Sequence, residues 1–139
     1  MSAADRNHSG HVMIALLRQH GIRPSAQRIA VADYVLNTRD HPSADQVCNQ
    51  VKKTFPMLSR ATTYNTLNLF VDKGLLRQLD LAEGRVVFDP NTTRHHHLVD
   101  EGSKTIHDIP WEALEVRNVD QLDEFEIDEY QVVLRGRRR

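Results

Sequence analysis

The chain has little cysteine and no long apolar segment. Cys48 is the only cysteine among 139 residues, which excludes an intramolecular disulfide and a cysteine-rich structural zinc site. No apolar run approaches the roughly 18 residues needed to cross a bilayer, so we do not expect a membrane protein. The N-terminal sequence MSAADRNHSG has no basic segment followed by an apolar one and predicts no secretory signal. We therefore expect a cytoplasmic protein.

Charge is almost balanced over the whole chain but is divided unevenly along it. The formal net charge is −1. Residues 1–80 contain ten Lys or Arg and six Asp, a net charge of +4, whereas residues 81–139 contain eight basic and thirteen acidic residues, a net charge of −5. A basic part followed by an acidic part predicts a two-part protein whose first part binds polyanions.

Apolar residues in the first half recur at the spacing of helices. The pattern predicts four helices, and three serines that precede the second, third and fourth are typical N-caps: Ser25, Ser43 and Ser59. We expect Pro56 to end the third helix and Gly74 to end the fourth.

After the fourth helix the apolar period changes to two. Residues 75–81 and 85–88 predict two strands of a hairpin, and helices followed by a hairpin are the order of a winged helix-turn-helix. Further strands are predicted at residues 98–99, 105–109 and 130–134, with a short helix beginning at Pro110. The predicted fold class is therefore α+β.

The fourth predicted helix has a polar face suited to reading DNA. Arg60 can contact phosphate or guanine, Tyr64 can pack on a thymine methyl, and Asn65 can pair with adenine. Two threonines of this helix can bond phosphates, as can two arginines that flank the start of the second helix. An ordinary amphipathic helix with a polar outer face is the alternative. The candidate DNA-binding residues are Arg23, Arg28, Arg60, Thr62, Thr63, Tyr64 and Asn65.

Three consecutive histidines at positions 95–97 are the densest chemical feature of the sequence. In an extended segment the outer two imidazoles share one face and the middle one points to the other face. Aspartates six residues before and eleven residues after the triplet, with a histidine in the loop before the third helix, complete a set of nitrogen and oxygen donors. Such a set suits Fe(II), Mn(II) or Zn(II). The alternative is a polar loop tip. The candidate metal ligands are His41, Asp89, His95, His97 and Asp108.

Four segments of the chain carry a family resemblance. They are residues 21–28 (GIRPSAQR), residues 41–45 (HPSAD), residues 59–67 (SRATTYNTL), and Phe88-Asp89 followed by the histidine triplet. In this order and spacing the chain resembles the ferric uptake regulator (Fur) superfamily of bacterial metal-responsive repressors, over nearly its whole length.

The resemblance implies a winged-helix DNA-binding domain at residues 1–89, a hinge at 90–94, and a small α/β dimerisation and metal-sensing domain at 95–139. It places the five candidate ligands in a regulatory site at the hinge, with Fe(II) or Mn(II) as the ion and Zn(II) in purified protein. Tyr64 matches the family's base-contacting tyrosine, and Arg23 its minor-groove basic residue. The resemblance also implies a homodimer that binds double-stranded DNA at an inverted-repeat operator. No membrane partner is expected.

The chain departs from the family at its structural zinc site. The first pair of a Cys-X-X-Cys motif would fall at Asp100 and Ser103, so no structural zinc held by four cysteines is expected. A second site for metal or haem could use His96 and Glu115, but Tyr130 stands where a further histidine would be. These features resemble the iron response regulator branch most, and peroxide regulators that lack the cysteines are similar.

We therefore expect a regulator that controls genes of iron and haem homeostasis, and not an enzyme. A repressor that senses peroxide, by oxidising a ligand histidine through bound Fe(II), is the alternative. Two further alternatives are a metal-dependent hydrolase and a metal or haem buffer that does not bind DNA.

Overall fold

Four helices and a two-stranded hairpin form the first of two compact units, here called the helical unit, which ends at Thr92. The computed structural model of the protein describes residues 10–139. The elements of the helical unit are α1 (Gly10–Gln19), α2 (Ala26–Val35), α3 (Ala44–Val51), α4 (Arg60–Asp72), β1 (Arg77–Asp80) and β2 (Val86–Asp89).

The predicted serine caps begin three of the helices. Ser25 Oγ accepts the Arg28 backbone N–H at 3.2 Å, and Ser59 Oγ accepts that of Thr62 at 3.0 Å. Ser43 forms a full capping box: its hydroxyl oxygen accepts from the Gln46 backbone N–H, and its own N–H donates to the Gln46 side chain. Because each cap satisfies a backbone donor left over in the first turn, these helix starts follow from local sequence.

The end of the third helix differs from the prediction. Pro56 was expected to end it, but α3 ends at Val51, five residues earlier. The Thr54 N–H donates to the Val51 carbonyl at 3.0 Å, which closes a tighter turn. This turn brings Phe55 against the apolar core as a half-buried side chain.

The wing of the helical unit is an antiparallel hairpin. β1 pairs with β2 from Arg77 opposite Asp89 to Asp80 opposite Val86. A 3₁₀ turn at Ala82–Gly84 closes it, with Glu83 at φ 65° and Gly84 at φ 71°. One apolar core contains sixteen buried residues. They come from all four helices, from the segments that follow them, and from β2 of the wing. The predicted winged helix-turn-helix is confirmed.

A three-stranded sheet forms the second unit, Thr93–Arg139, here called the sheet unit. Its strands are β3 (His95–Asp100), β4 (Ile106–Pro110) and β5 (Val133–Gly136), in the order β4-β3-β5. β3 runs antiparallel to β4 and parallel to β5. The α+β fold class is confirmed.

Two boundaries in the sheet unit differ from the sequence pattern. β3 begins at His95 rather than residue 98. A hydropathy pattern counts histidine as polar and so misses the first three residues of the strand, although all three are buried. The helix expected from Pro110 is only a 3₁₀ turn, Trp111–Ala113, and a second such turn spans Val119–Gln121.

The boundary between the two units falls between Thr92 and Thr93 along the chain, inside the predicted hinge at 90–94. Residues 1–9 lie outside the described part of the chain, and the domain roles stay a prediction. None of the helices in the described part has the length and apolarity that a membrane span requires.

Candidate functional site

His41 and Asp89 form a buried pair in the helical unit. His41 Nε2 lies 3.2 Å from Asp89 Oδ2, and both residues are at most 5% exposed. The Phe88 N–H donates to the Pro42 carbonyl at 2.9 Å and ties the histidine's loop to β2. The Asn91 N–H donates to Asp89 Oδ1 at 2.9 Å and orients the carboxylate.

The backbone of His41 is strained. Its φ is 50°, in the left-handed region that residues other than glycine rarely adopt. Such strain costs on the order of 1–3 kcal/mol and gathers at functional sites. The following proline restricts the conformation of His41 further. The loop therefore holds this imidazole in place at an energetic cost.

Two histidines and an aspartate converge in the sheet unit. His95 and His97 lie on one face of β3, with their Nε2 atoms 2.9 Å apart. Asp108 is the β4 residue paired with His97, and its Oδ1 lies 3.4 Å from His95 Nε2 and 3.6 Å from His97 Nε2. The predicted hairpin placement of Asp108 and the shared face of the two imidazoles are confirmed.

Hydrogen bonds at the far side of each ring set the tautomers of the two imidazoles. His95 Nδ1 lies 2.7 Å from the Thr93 carbonyl, and His97 Nδ1 lies 3.0 Å from Gln131 Oε1. Because both oxygens are acceptors, they favour the tautomer with its proton on Nδ1, which leaves Nε2 of each ring as a ligand atom. The two Nε2 atoms lie 2.9 Å apart, close enough to bind one cation or to share one proton. Outer partners of this kind orient metal-binding histidines in general.

His96 points to the opposite face, as the alternation predicts. Its ring stacks on Trp111 with the centroids 4.5 Å apart, and its Nδ1 accepts the Val132 N–H at 2.9 Å. Burial lowers the pKa of His96, and the neighbouring histidines and Arg94 lower it further. His96 is therefore a neutral packing residue of the sheet unit.

Glu115 lies on an exposed segment after the 3₁₀ turn, where its carboxylate accepts from Arg117 Nε at 3.0 Å. The structure thus gives His96 and Glu115 different partners. Tyr130 packs on Trp111, with the ring centroids 5.0 Å apart. The predicted second site for metal or haem at His96 and Glu115 gains no support from these contacts.

Hydrogen bonds close the turn where the family's first Cys-X-X-Cys pair would fall. Asp100 Oδ1 accepts the backbone N–H of Gly102 at 2.9 Å and that of Ser103 at 3.3 Å. Hydrogen bonds from Ser103, first among the causes, hold the pKa of Asp100 below its ordinary value. Hydrogen bonds thus connect β3 to the start of β4.

Most of the predicted DNA-binding residues share one surface of the helical unit. A groove of about 520 Å³ separates the start of α2 from α4, and Arg23, Arg28, Thr62 and Asn65 line it. Arg28 Nη1 donates to the Arg23 carbonyl at 2.7 Å, which orients one arginine against the other's backbone. Tyr64, on α4, is 43% exposed.

One of the predicted DNA contacts needs revision, and another has a partner within the protein. Thr63 is fully buried and its hydroxyl donates to the Ser59 carbonyl at 2.8 Å, so it cannot reach phosphate. Its position on the inner face of α4 was overlooked because threonine is polar. Arg60 is exposed but lies 2.8 Å from Asp45 of α3, a partner that sequence spacing did not reveal.

A winged-helix unit followed by a small sheet unit with a histidine–aspartate cluster is the architecture of a DNA-binding regulator. The sequence model of the ferric uptake regulator family matches residues 19–135, and the chain belongs to this family. It is therefore a metal-dependent transcriptional regulator and not an enzyme.

Relatives and solved structures agree with this membership. The chain is 34% identical over 125 residues to the peroxide-responsive repressor PerR of Staphylococcus aureus (strain Mu50 / ATCC 700699), covering 88% of this chain and 84% of that protein. The fold is similar to that of the manganese-containing ferric uptake regulator of Pseudomonas aeruginosa (TM-score 0.70, 23% identity, 91% and 98% coverage of the two chains). It is also similar to that of the Campylobacter jejuni peroxide stress regulator (TM-score 0.67, 21% identity, 90% and 95% coverage).

Proposed function

We propose that the protein is a peroxide-responsive repressor that binds DNA under the control of a divalent metal ion. One observation carries the proposal: the Nε2 atoms of His95 and His97 lie 2.9 Å apart and within 3.6 Å of the Asp108 carboxylate. The 34% identity to a peroxide-responsive repressor supports the choice of signal.

The donors in each unit fit Fe(II) or Mn(II). Imidazole nitrogens and carboxylate oxygens suit these ions, and Zn(II) competes for such donors in purified protein. The buried His41–Asp89 pair supplies one part of the donor set, and the cluster of His95, His97 and Asp108 supplies the other. In the proposal a single ion is bound by all five residues.

Sharing the ligands between the units would couple metal binding to DNA binding. His41 and Asp89 belong to the helical unit that contains the groove, whereas the other three ligands belong to the sheet unit. An ion that all five residues bind favours one relative orientation of the two units. Shifting an equilibrium from 1:99 to 99:1 requires about 10⁴-fold tighter binding to one state, or roughly 5.5 kcal/mol.

The proposed DNA target is an inverted repeat on double-stranded DNA in the cytoplasm. A homodimer presents two copies of α4 related by a twofold axis, and each copy would enter the major groove of one half-site. The basic groove beside α4 would hold the phosphates that flank each half-site.

The metal arm of the test uses His97→Ala, with His107→Ala as the matched control. His107 lies next to Asp108 on β4 and contacts Thr105 instead of the cluster, with its Nε2 3.1 Å from the Thr105 hydroxyl. We expect His97→Ala to weaken Mn(II) binding by at least about a hundredfold, since even outer-shell partners are worth about 10- to 100-fold. We also expect it to abolish the Mn(II) response of DNA binding in gel shifts on duplexes enriched from a random library. An unchanged metal response in His97→Ala would overturn the proposed site.

The peroxide arm of the test uses mass spectrometry. Bound Fe(II) supplies oxidising chemistry with peroxide, in which a ligand imidazole gains one oxygen atom and the other oxygen leaves as water. We expect this mass increase on His41 or His95 when Fe(II)-loaded protein meets peroxide, with loss of DNA binding, and no increase when Mn(II) is bound. Unchanged DNA binding after peroxide would overturn peroxide sensing, and loss of DNA binding without an oxidised histidine would overturn histidine oxidation as its mechanism. Both results would leave metal-dependent DNA binding intact.

Control of iron and haem genes is the second candidate function. The histidine triplet in a chain without Cys-X-X-Cys pairs favours it. His96 is an unsuitable haem ligand, because it is buried, stacked on Trp111 and bonded to the Val132 N–H. A Soret band on haem addition that His95→Ala or His97→Ala removes would favour this candidate over peroxide sensing.

A further inference from the structure

The start of α4 contains an ion pair that the proposed function does not use. Arg60 Nη2 lies 2.8 Å from Asp45 Oδ1, which joins α4 to α3. The pKa of Arg60 is raised above its ordinary value, first by the side chain of Tyr64, one turn along α4, and then by the charge of Asp45. Asp45 is therefore the side chain that holds the guanidinium of Arg60.

The position of this contact matters more than its strength. The side chain of Arg60 is 70% exposed and that of Asp45 is 53% exposed, and such exposed ion pairs contribute little to folding. Arg60 is the first residue of α4, and the first turn of a recognition helix contacts base edges. An arginine reads guanine through two parallel hydrogen bonds, which require a defined plane for the guanidinium.

We infer that Asp45 is a specificity-determining positioning residue, which orients Arg60 so that its guanidinium reads a guanine in each half-site. This inference rests on the proposed DNA binding. The guanidinium contacts Asp45 through Nη2, and the arginine side chain stays 70% exposed. Because an arginine loses rotamer freedom when it binds, an orientation fixed beforehand lowers the cost of reading the base. Tyr64 would contact the neighbouring base from the same helical turn.

Asp45 also places a negative charge close to the expected DNA backbone. Asp45 therefore does not serve to increase affinity for DNA, since each added negative charge near phosphate weakens sequence-independent binding. Removing Asp45 should strengthen binding to random duplexes and weaken the preference for guanine. These opposite effects distinguish orientation of Arg60 from a purely electrostatic role.

The experiment enriches DNA from a randomised duplex library with the full-length protein, both with Mn(II) and with a chelator. It compares the unmodified protein with Asp45→Ala, Arg60→Ala and the double variant. Asp72→Ala is the matched control, because it removes an equal charge from the exposed last residue of α4, the helix that begins with Arg60. Asp45 lies in the first turn of α3, so its loss can weaken that helix. The variant Asp45→Asn and thermal unfolding of every variant therefore separate a loss of folding from a loss of base preference.

We expect the enriched half-site to contain a guanine whose preference falls about three- to tenfold in Asp45→Ala. Arg60→Ala should lose that preference by about 5- to 150-fold, and the double variant should lose no more than Arg60→Ala alone. Asp72→Ala should keep the preference.

Two results would overturn the inference while leaving the proposed function intact: a full guanine preference in a folded Asp45→Ala protein, or an equal further loss from Asp45→Ala when Arg60 is already alanine. Failure of the unmodified protein to enrich any sequence would overturn the proposed DNA binding together with the inference.

Discussion

Among the described residues, the helical unit buries twenty apolar side chains, whereas the sheet unit buries two, Val99 and Ile106. The buried polar side chains are shared equally, with four in each unit, and those of the sheet unit are His95, His96, His97 and Asp100. Most of the interior of the sheet unit is therefore polar. Four of its large apolar side chains are exposed: Leu122, Phe125, Ile127 and Leu134.

This difference indicates that the two units gain stability in different ways. An apolar core stabilises a unit without any partner, because burial of apolar surface is favourable in itself. Buried imidazoles and carboxylates gain stability only from hydrogen bonds, cations or partner chains. A sheet unit of this size, with two buried apolar side chains, is expected to depend on such additions. That dependence is suitable for a sensor, since its stability then follows the signal.

The largest effect is expected from the core of the helical unit. Phe70 is fully buried in α4, and Phe70→Ala should lower the free energy of unfolding by about 3–5 kcal/mol through lost burial and a cavity. Denaturant unfolding followed by helix content measures it. Met57→Ala, at an apolar side chain that is 86% exposed, should change stability by less than about 0.5 kcal/mol. Similar losses from the two variants would contradict an apolar core as the main support of this unit.

A smaller effect is expected from metal on the sheet unit. Mn(II) at about a hundred times its dissociation constant should add roughly 2.7 kcal/mol to the state that binds it. Amide exchange along β3, which carries His95 and His97, should slow by up to about a hundredfold, and exchange along α1 should slow much less. His97→Ala should remove the difference. Equal slowing in β3 and α1 would contradict the idea that metal compensates for the missing apolar core.

The smallest effect concerns the pH dependence of the turn after β3. The pKa of Asp100 is lower in the folded protein than its ordinary value of 3.8, so the charged carboxylate stabilises the fold above that value. This contribution is lost as the pH falls through the folded pKa. Asp100→Asn should flatten the acid side of the stability curve, measured by urea unfolding at several pH values. Asp123→Asn, at an exposed site of the same unit, should leave the curve unchanged. An equally steep curve for Asp100→Asn would exclude the turn as its source.

The helical unit could be predicted well because its determinants are local. Ser25, Ser43 and Ser59 each cap a helix through a hydrogen bond three residues away, and the apolar stripes follow the helical period. The prediction failed at Pro56 and Thr63. Tertiary packing draws Phe55 into the core at the first position and turns a polar side chain inward at the second.

The sheet unit and the contacts between elements were harder to predict. Strand β3 begins among histidines, which no hydropathy pattern assigns to a buried strand. The partners that set the imidazole tautomers include Gln131, 34 residues from His97 along the chain. The ion pair between Asp45 and Arg60 joins two helices separated by a turn. Sequence spacing contains no signal for such pairs.

The sequence by itself determined the helix caps, the strand alternation and the list of candidate ligands, since these depend on neighbours along the chain. It also determined the absence of a zinc site held by four cysteines, because only one cysteine is present. The tertiary structure alone decided which imidazoles lie together, what each ring contacts, and which carboxylate pairs with Arg60. Those outcomes depend on distances between residues far apart in sequence, and packing sets those distances.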